Sequence, residues 1–494
     1  MIQVDDVLTA VEGAELVRQA TGGEAGRFGR ASVDTRDITG GELFVAIPGP
    51  TRDGHDFAAA AVRAGATGVL ISRPLADTPE LAGLDATVIR VPDTLIALQQ
   101  AAAQARRRST ASVVAVTGSA GKTTAKTLIA QVLQAKFEVL ANKASFNNHL
   151  GVPLTLTQIE PAQTHVISEI GTNHPGEIGH LSGLVAPDVS VVTNVGFAHL
   201  GNFAGQPELA LEKTDIFNHT RPGGTWIVNG DDELLTSTTL GLPGAAEATV
   251  VRVGFAPGND LRAVDVSVDE NGTRGRIEVD GQTLPFSIGA AGRHFAYATM
   301  LAVAVGRAYG IAPSEGIEAL RGVQPPAGRA SLRRIDDELL MIDDSYNGSP
   351  DAMIGSLDLL AALPGEVKVA VLGQMGELGD FSHELHTRVG HKAADCVTDL
   401  ITVGPNAAPL QAGAVEHGLP ASRVSTAGSA MEAFGQVKAV LEAQGTTAVV
   451  LAKGARAMHM ERVYLGLAGH QVVCALTSCP LYINCADCPK LTTG

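Results

Sequence analysis

The stretch VTGSAGKTTAKTLIAQVL, from Val116, sets two glycines, a lysine and two threonines between an apolar run and an amphipathic one. A tight glycine turn after a strand aims backbone N–H groups at an anion, and the helix that follows adds positive potential at its N-terminus. Residues Gly118, Ser119, Ala120, Gly121, Lys122, Thr123 and Thr124 therefore read as a phosphate cradle. Lys122 suits the β- and γ-phosphates, and the Thr123 hydroxyl suits Mg²⁺. The strict pattern G-x-x-x-x-G-K-[ST] would need glycine at Val116, so the match is to the shorter Gly118-x-x-Gly121-Lys122-Thr123. The competing reading is a chance-capped glycine turn. A strand before, Lys-Thr at the apex and a helix after favour nucleotide binding.

Three later residues extend the chemistry. Glu169 ends the apolar run HVISEIG, where a carboxylate for Mg²⁺ would sit; His199 follows VSVVTNVGFAH; Lys213 lies in ELALEKTDIF, on an expected helix. Each has a plainer alternative: a solvated strand cap, a structural histidine, and a surface charge beside Glu212.

The elements that must position these residues are legible over 494 residues, a length that calls for about three domains. Residues 1–108 mix strands (Glu42–Ile47, Gly68–Arg73) with helices (DFAAAAVRAGA, TLIALQQAAAQARRR), and RRRST reads as a linker. Residues 109–322 alternate buried strands, SVVAVT, HVISEIGT and VSVVTNVG, with helices, as a parallel sheet does. After the boundary signal QPPAG, residues 323–465 repeat the alternation in ELLMIDDS, VKVAVLG, DLITVG and TAVVLAKG, a Rossmann-like domain. The expected fold is α/β in three domains: a smaller N-terminal α/β domain, a central P-loop ATPase-like parallel sheet and a C-terminal Rossmann-like domain. Residues 466–494 form a Cys-rich tail.

The net charge of −16 argues against nucleic acid and anionic lipid as partners. No apolar run approaches the ~20 residues of a transmembrane span, and the first residues carry no secretory pattern. The expectation is a cytoplasmic monomer. Four of five cysteines fall after residue 473, so a disulfide-stapled body is excluded.

Seven ordered motifs now carry a resemblance. They are SVDTRDITGGELFVAIPGPTRDGHDF, the P-loop, ASFNNHLGVPLTL, EIGTNHPGEI, DDSYNGSPDAM, LGQMGELG and LAKGARAMHMERV. Together they resemble the Mur ligase family and, within it, the MurF type. The resemblance implies an ATP-dependent amide ligase that joins D-alanyl-D-alanine to UDP-N-acetylmuramoyl-tripeptide in peptidoglycan precursor synthesis. It implies that residues 118–124 with His294, Arg329, Asp344 and Asn347 hold ATP. It also implies that Thr123, Glu169, His199 and a carbamylated Lys213 hold magnesium, two ions in all. Asp34, Thr35 and Arg36 would touch the uridine nucleotide. Asn147, Asn148, Lys453 and Arg456 would contact substrate. For the base that takes the amine's proton, His386 and Asp344 are the candidates, with a plain surface histidine the alternative for His386.

The chain departs from the family's pattern in GRHFAYA, where Phe295 and Ala298 replace two asparagines. Phe295 is expected to stack on adenine without reading its edge. Gln374 stands where aspartate is commoner. The tail cysteines Cys474, Cys479, Cys485 and Cys488 leave three readings open: reduced thiols in a flexible tail, a Zn²⁺ or iron–sulfur site, or a redox disulfide. Two alternatives stand beside the ligase: a relative with other substrates, and a non-catalytic nucleotide binder. Retention of Lys122, Thr123, Glu169, His199 and Lys213 argues against the second.

Overall fold

Runs of β-branched residues bounded by glycine build the frame. Ser112–Thr117, His165–Glu169 and Val189–Val192 are buried along almost their whole length, as strands of a parallel sheet covered on both faces must be. The computed structural model describes residues 1–22, 26–143, 146–477, 479 and 484–488. Ala144 and Ser145 of the ASFNN motif, and tail positions 478, 480–483 and 489–494, lie outside the described residues.

Among the described residues there are three large sheets. The first, of five strands, runs Glu15–Arg18, Thr87–Arg90, Gly68–Ile71, Leu43–Val45, Ala31–Ser32, parallel except for its first pair. The central sheet has nine strands. Its parallel part includes Thr225–Asn229, Val189–Val192, Ser112–Thr117, His165–Glu169 and Val139–Ala141, in that order. The third has six strands, parallel but for the antiparallel entry strand Ser331–Arg334. This is the three-domain α/β fold expected from the sequence.

Two features go beyond the sequence reading. An antiparallel meander, Leu261–Asp269, Gly272–Val279 and Gln282–Ile288, extends the central sheet. Its strands alternate polar and apolar residues, so they lack the continuous apolar runs that mark the parallel strands. The RRRST segment, expected as a linker, is instead bolted down. Buried Arg106 donates from Nε to the Val185 carbonyl at 2.9 Å, and Arg108 donates to Asp6.

Small residues let helices approach the sheet and each other. Helix Arg293–Ala308 packs on Lys122–Leu133, and a Cβ at Gly306 would lie 2.7 Å from Val132 Cγ1. That packing fixes one wall of the site.

Candidate active site

Strand register puts Glu169 beside Val116 and Val192 beside Thr117, so three neighbouring parallel strands end together. Ligands bind beyond such carboxyl ends. Two residues that the sequence reading missed hold the glycine loop there. Thr193 donates from Oγ1 to the Ala120 carbonyl at 2.6 Å, and Asn194 Oδ1 accepts from the Ala120 N–H at 2.9 Å. Gly118 has φ +137°, and a Cβ there would fall 2.0 Å from Thr193 Oγ1, so no other residue fits. Lys122 folds back over the loop, its Nζ 2.8 Å from the Gly118 carbonyl. Burial pulls its pKa below the ordinary lysine value, with the Glu169 charge opposing.

Beyond the loop lies a cavity of about 900 Å³. Buried Glu169 accepts from Thr123 Oγ1 at 3.0 Å and from Asn147 Nδ2 at 2.9 Å, and Lys126 Nζ stands 3.4 Å away. Arg329, from the entrance to the third domain, donates to the same Thr123 hydroxyl at 3.0 Å. His199 lines the cavity and shares a hydrogen bond at Nδ1 with Glu377 of the third domain. That contact, ahead of burial acting the other way, holds the Glu377 carboxyl below its usual range.

Lys213 is the oddest group. The surface-charge alternative is wrong: the residue is fully buried on helix Gln206–Asn218, and its Nζ has no hydrogen-bond partner among the described residues. Burial, with the nearby Lys122 charge, drives its pKa well below the ordinary value. A shift in that direction favours the neutral, nucleophilic form of the amine.

Helix Arg293–Ala308 presents His294, Tyr297, Ala298 and Leu301 to the cavity, one stripe at helical spacing. Burial pushes His294 down to about 4, so it is neutral. Phe295 lies off that stripe, 1% exposed in the central core, and does not line the cavity where a nucleotide base would stack. Tyr297, which the stripe from His294 could have revealed, donates its hydroxyl to Asp231 at 2.6 Å.

From the third domain, Asp344, Asn347 and Lys453 line the cavity, with Tyr346 beneath the Arg329 guanidinium at 4.2 Å. Burial alone would raise the Asp344 pKa, but the Lys453 charge and hydrogen bonds from Lys453 and Ser356 hold it below the ordinary value. Asn147 and Asn148 line the opposite wall.

Several expected site residues lie elsewhere. Asp34, Thr35 and Arg36 form an exposed turn of the first domain in which Asp34 caps the segment and pairs with Arg36; they do not line this cavity. Arg456 is buried against Glu461, 3.1 Å from its Oε2, and is also outside the lining. His386 is not a surface histidine, and it does not line the cavity. It is fully buried, its Nε2 accepts the Met375 N–H at 3.0 Å, and Nδ1 faces the Ser382 carbonyl at 2.7 Å. Burial keeps it neutral by lowering its pKa.

The tail cysteines do not assemble a four-thiolate site. Arg462 stands between two of them, donating to Cys485 Sγ at 3.3 Å and to Cys474 Sγ at 3.4 Å, so a guanidinium occupies the place a metal would need. Cys485 lies against His459 and Glu461, a cluster already charge-matched by Arg456 and Arg462. Burial pushes its thiol up to about 11. The four-cysteine Zn²⁺ or iron–sulfur site is thus not supported; the one group of possible ligands that includes a tail cysteine among the described residues is His459, Glu461 and Cys485. No disulfide joins the described cysteines.

Three family models match along the chain: the Mur ligase family, catalytic domain, over residues 31–106; the Mur ligase middle domain over 116–306; and the Mur ligase, glutamate ligase domain over 328–456. A UDP-N-acetylmuramoyl-tripeptide–D-alanyl-D-alanine ligase of Synechocystis is 35% identical, across 78% of this chain and 82% of that protein. The crystal structure of MurF from Acinetobacter baumannii superposes with a TM-score of 0.84 at 27% identity, covering 95% of this chain and 99% of that one. MurF from Thermotoga maritima, solved in complex with ADP, gives 0.77 at 25% identity over 89% and 97% of the two chains.

Proposed function

The chain belongs to the Mur ligase family, and on that premise we propose that it joins D-alanyl-D-alanine to UDP-N-acetylmuramoyl-tripeptide at the expense of ATP. A carboxylate is a poor electrophile. Transfer of the ATP γ-phosphoryl to the tripeptide carboxylate gives an acyl phosphate and ADP. The dipeptide amine then attacks the acyl carbon, forms the amide and expels phosphate. Phosphoryl transfer depends on positioning and charge neutralisation more than on covalent chemistry by the protein.

Residues 118–124 cradle the phosphates, with Lys122 swinging from the Gly118 carbonyl to a phosphoryl oxygen. Arg329 approaches the same place from the third domain. His294 and Asn347 complete the ATP pocket, and Asp344 orients Lys453 toward the reacting groups. Held acidic by Lys453, Asp344 is a poor base, so its part is positioning. Asn147 and Asn148 stand on the substrate side. Asp34, Thr35 and Arg36 bind the uridine nucleotide in the first domain, and Arg456 supports the amine side from behind the cavity wall.

The donor set fits magnesium. Glu169 and Thr123 offer hard oxygens already in contact, and the orphaned Lys213 amine becomes a third carboxylate-like donor once it adds CO₂. With His199 these residues would hold two Mg²⁺ ions, which when bound neutralise the phosphoryl oxygens. The domains run over 1–108, 109–322 and 323–465, with the tail from 466, and approach of the third excludes water that would hydrolyse the acyl phosphate. One chain carries every group, so a monomer suffices. No helix among the described residues is long and apolar enough to cross a membrane. A cytoplasmic location follows from the need for ATP and a UDP-linked substrate.

One observation carries the reading: the Thr123 hydroxyl is met at once by Glu169 of the central sheet and by Arg329 at the third domain. The test is phosphate release from ATP with Mg²⁺, UDP-N-acetylmuramoyl-tripeptide, and D-alanyl-D-alanine present or omitted. Release that needs both substrates, with a pentapeptide product by mass, is expected. Release with other amines but not this dipeptide would overturn the substrate assignment.

A further inference from the structure

His199 and Glu377 meet where two cavities meet. His199 lines the large one, and Glu377 lines a second of about 620 Å³ in the third domain. Their side chains share a hydrogen bond between Nδ1 and Oε2. The backbones are joined as well: Gly201 donates its N–H to the Glu377 carbonyl at 3.0 Å. The loops touch so closely that a Cβ on Gly201 would fall 2.3 Å from Gly379 N. Both residues of the pair hold left-handed backbone, φ +63° at His199 and +62° at Glu377. Side chains other than glycine keep that conformation only where their surroundings fix it.

We propose that Glu377 is the third domain's own ligand to the metal site, binding the same divalent cation as His199 and so coupling metal binding to the docking of that domain. The proposal rests on the ligase reading above. A hydrogen bond between imidazole nitrogen and carboxylate oxygen spans about 3 Å, and so does the edge of an octahedron with bonds near ~2.1 Å. A cation can therefore take the place of the shared proton once the two side chains part to that spacing. The Glu377 side chain is 54% exposed, so its charge stays hydrated until the cation arrives. The third domain already reaches Thr123 through Arg329, a cation that cannot ligate a metal; a carboxylate from Glu377 would make that domain a direct ligand of the ion.

The test uses Mn²⁺ as a spectroscopic probe on the full-length protein with ADP, followed by electron paramagnetic resonance, with small-angle scattering on the same samples. Wild type is expected to bind Mn²⁺ and to become more compact. E377Q, which keeps a hydrogen-bonding head of the same size, is expected to bind it about tenfold or more weakly and to lose the metal-dependent compaction. E377D, with a carboxylate one methylene shorter, should retain more affinity than E377Q. If H199A loses Mn²⁺ while E377Q binds as wild type does, Glu377 is only a structural bridge and the proposal falls, leaving the ligase reading intact. If wild type itself binds no Mn²⁺ with ADP, the ligase reading fails and takes the proposal with it.

Discussion

Lys453 Nζ lies 2.5 Å from Asp344 Oδ2, with the two side chains only 4% and 12% exposed. The pair joins the end of strand Ala448–Lys453 to the end of the neighbouring strand Leu339–Asp343, at the mouth of the cavity. Replacing Asp344 by Asn leaves a buried ammonium without its counter-ion, a change that typically costs about 3–5 kcal/mol. D344N should therefore lower the urea midpoint as well as abolish ligation. The Asp344 pKa is held below its unfolded value of 3.8. Its contribution is thus complete above that value and is lost as pH falls through the lower folded pKa. The acid limb of the stability curve should be shallower in D344N, and an unchanged curve would remove the pair from the account of stability.

Lys213 should react with CO₂. Its amine is buried and without a hydrogen-bond partner among the described residues, and burial favours its neutral form, the form that adds to CO₂. Carbon-13 NMR of protein equilibrated with labelled bicarbonate should show a carbamate resonance that is missing from K213A. The variant should lose ligation by about 10²-fold or more, with partial rescue by a short carboxylate. Full activity in K213A would refute this role.

His386 should matter for folding and not for proton transfer. H386A leaves the Met375 N–H buried without an acceptor, at a cost of about 1–3 kcal/mol. Because burial lowers the histidine's pKa, wild-type stability begins to fall as pH drops below 6.5, where the unfolded chain takes up a proton that the folded chain refuses. The pH dependence of kcat should keep its shape in H386A; a lost limb would restore the base assignment.

Phe295 and Ala298 should separate cleanly. Phe295 is core, so F295N, which buries an amide in apolar surroundings and leaves a void, should cost about 3 kcal/mol or more. Ala298 lines the cavity but is only 5% exposed in the same core cluster, so A298N should cost less stability than F295N. By offering a donor and an acceptor to the base edge, it should raise the preference for ATP over GTP in competitive kinetics. Equal preference in A298N and wild type would place the base elsewhere.

The sequence by itself determined the parallel strands, the P-loop and the order of the three domains. Each of these is a local pattern: an apolar run long enough for a buried strand, a glycine turn, a helix start. It also marked Glu169 and His199 as chemistry-bearing residues at strand ends. Register decided the rest. Thr193 and Asn194 clasp the Ala120 backbone because Val192 pairs with Thr117, a relation that no stretch of chain contains. Lys213 beside Glu212 looks like a surface pair. In the fold, Glu212 turns to the N–H groups of Gly176 and Ile178, and Lys213 is sealed in alone. Phe295 and Ala298 sit three residues apart in one core cluster, and only the packing of their helix leaves Ala298 at the cavity wall while Phe295 is enclosed. Periodicity says which residues share a face. What lies opposite that face is set by strand pairing and domain contact, and these decided that His199 meets Glu377 and that His386 meets the Met375 N–H.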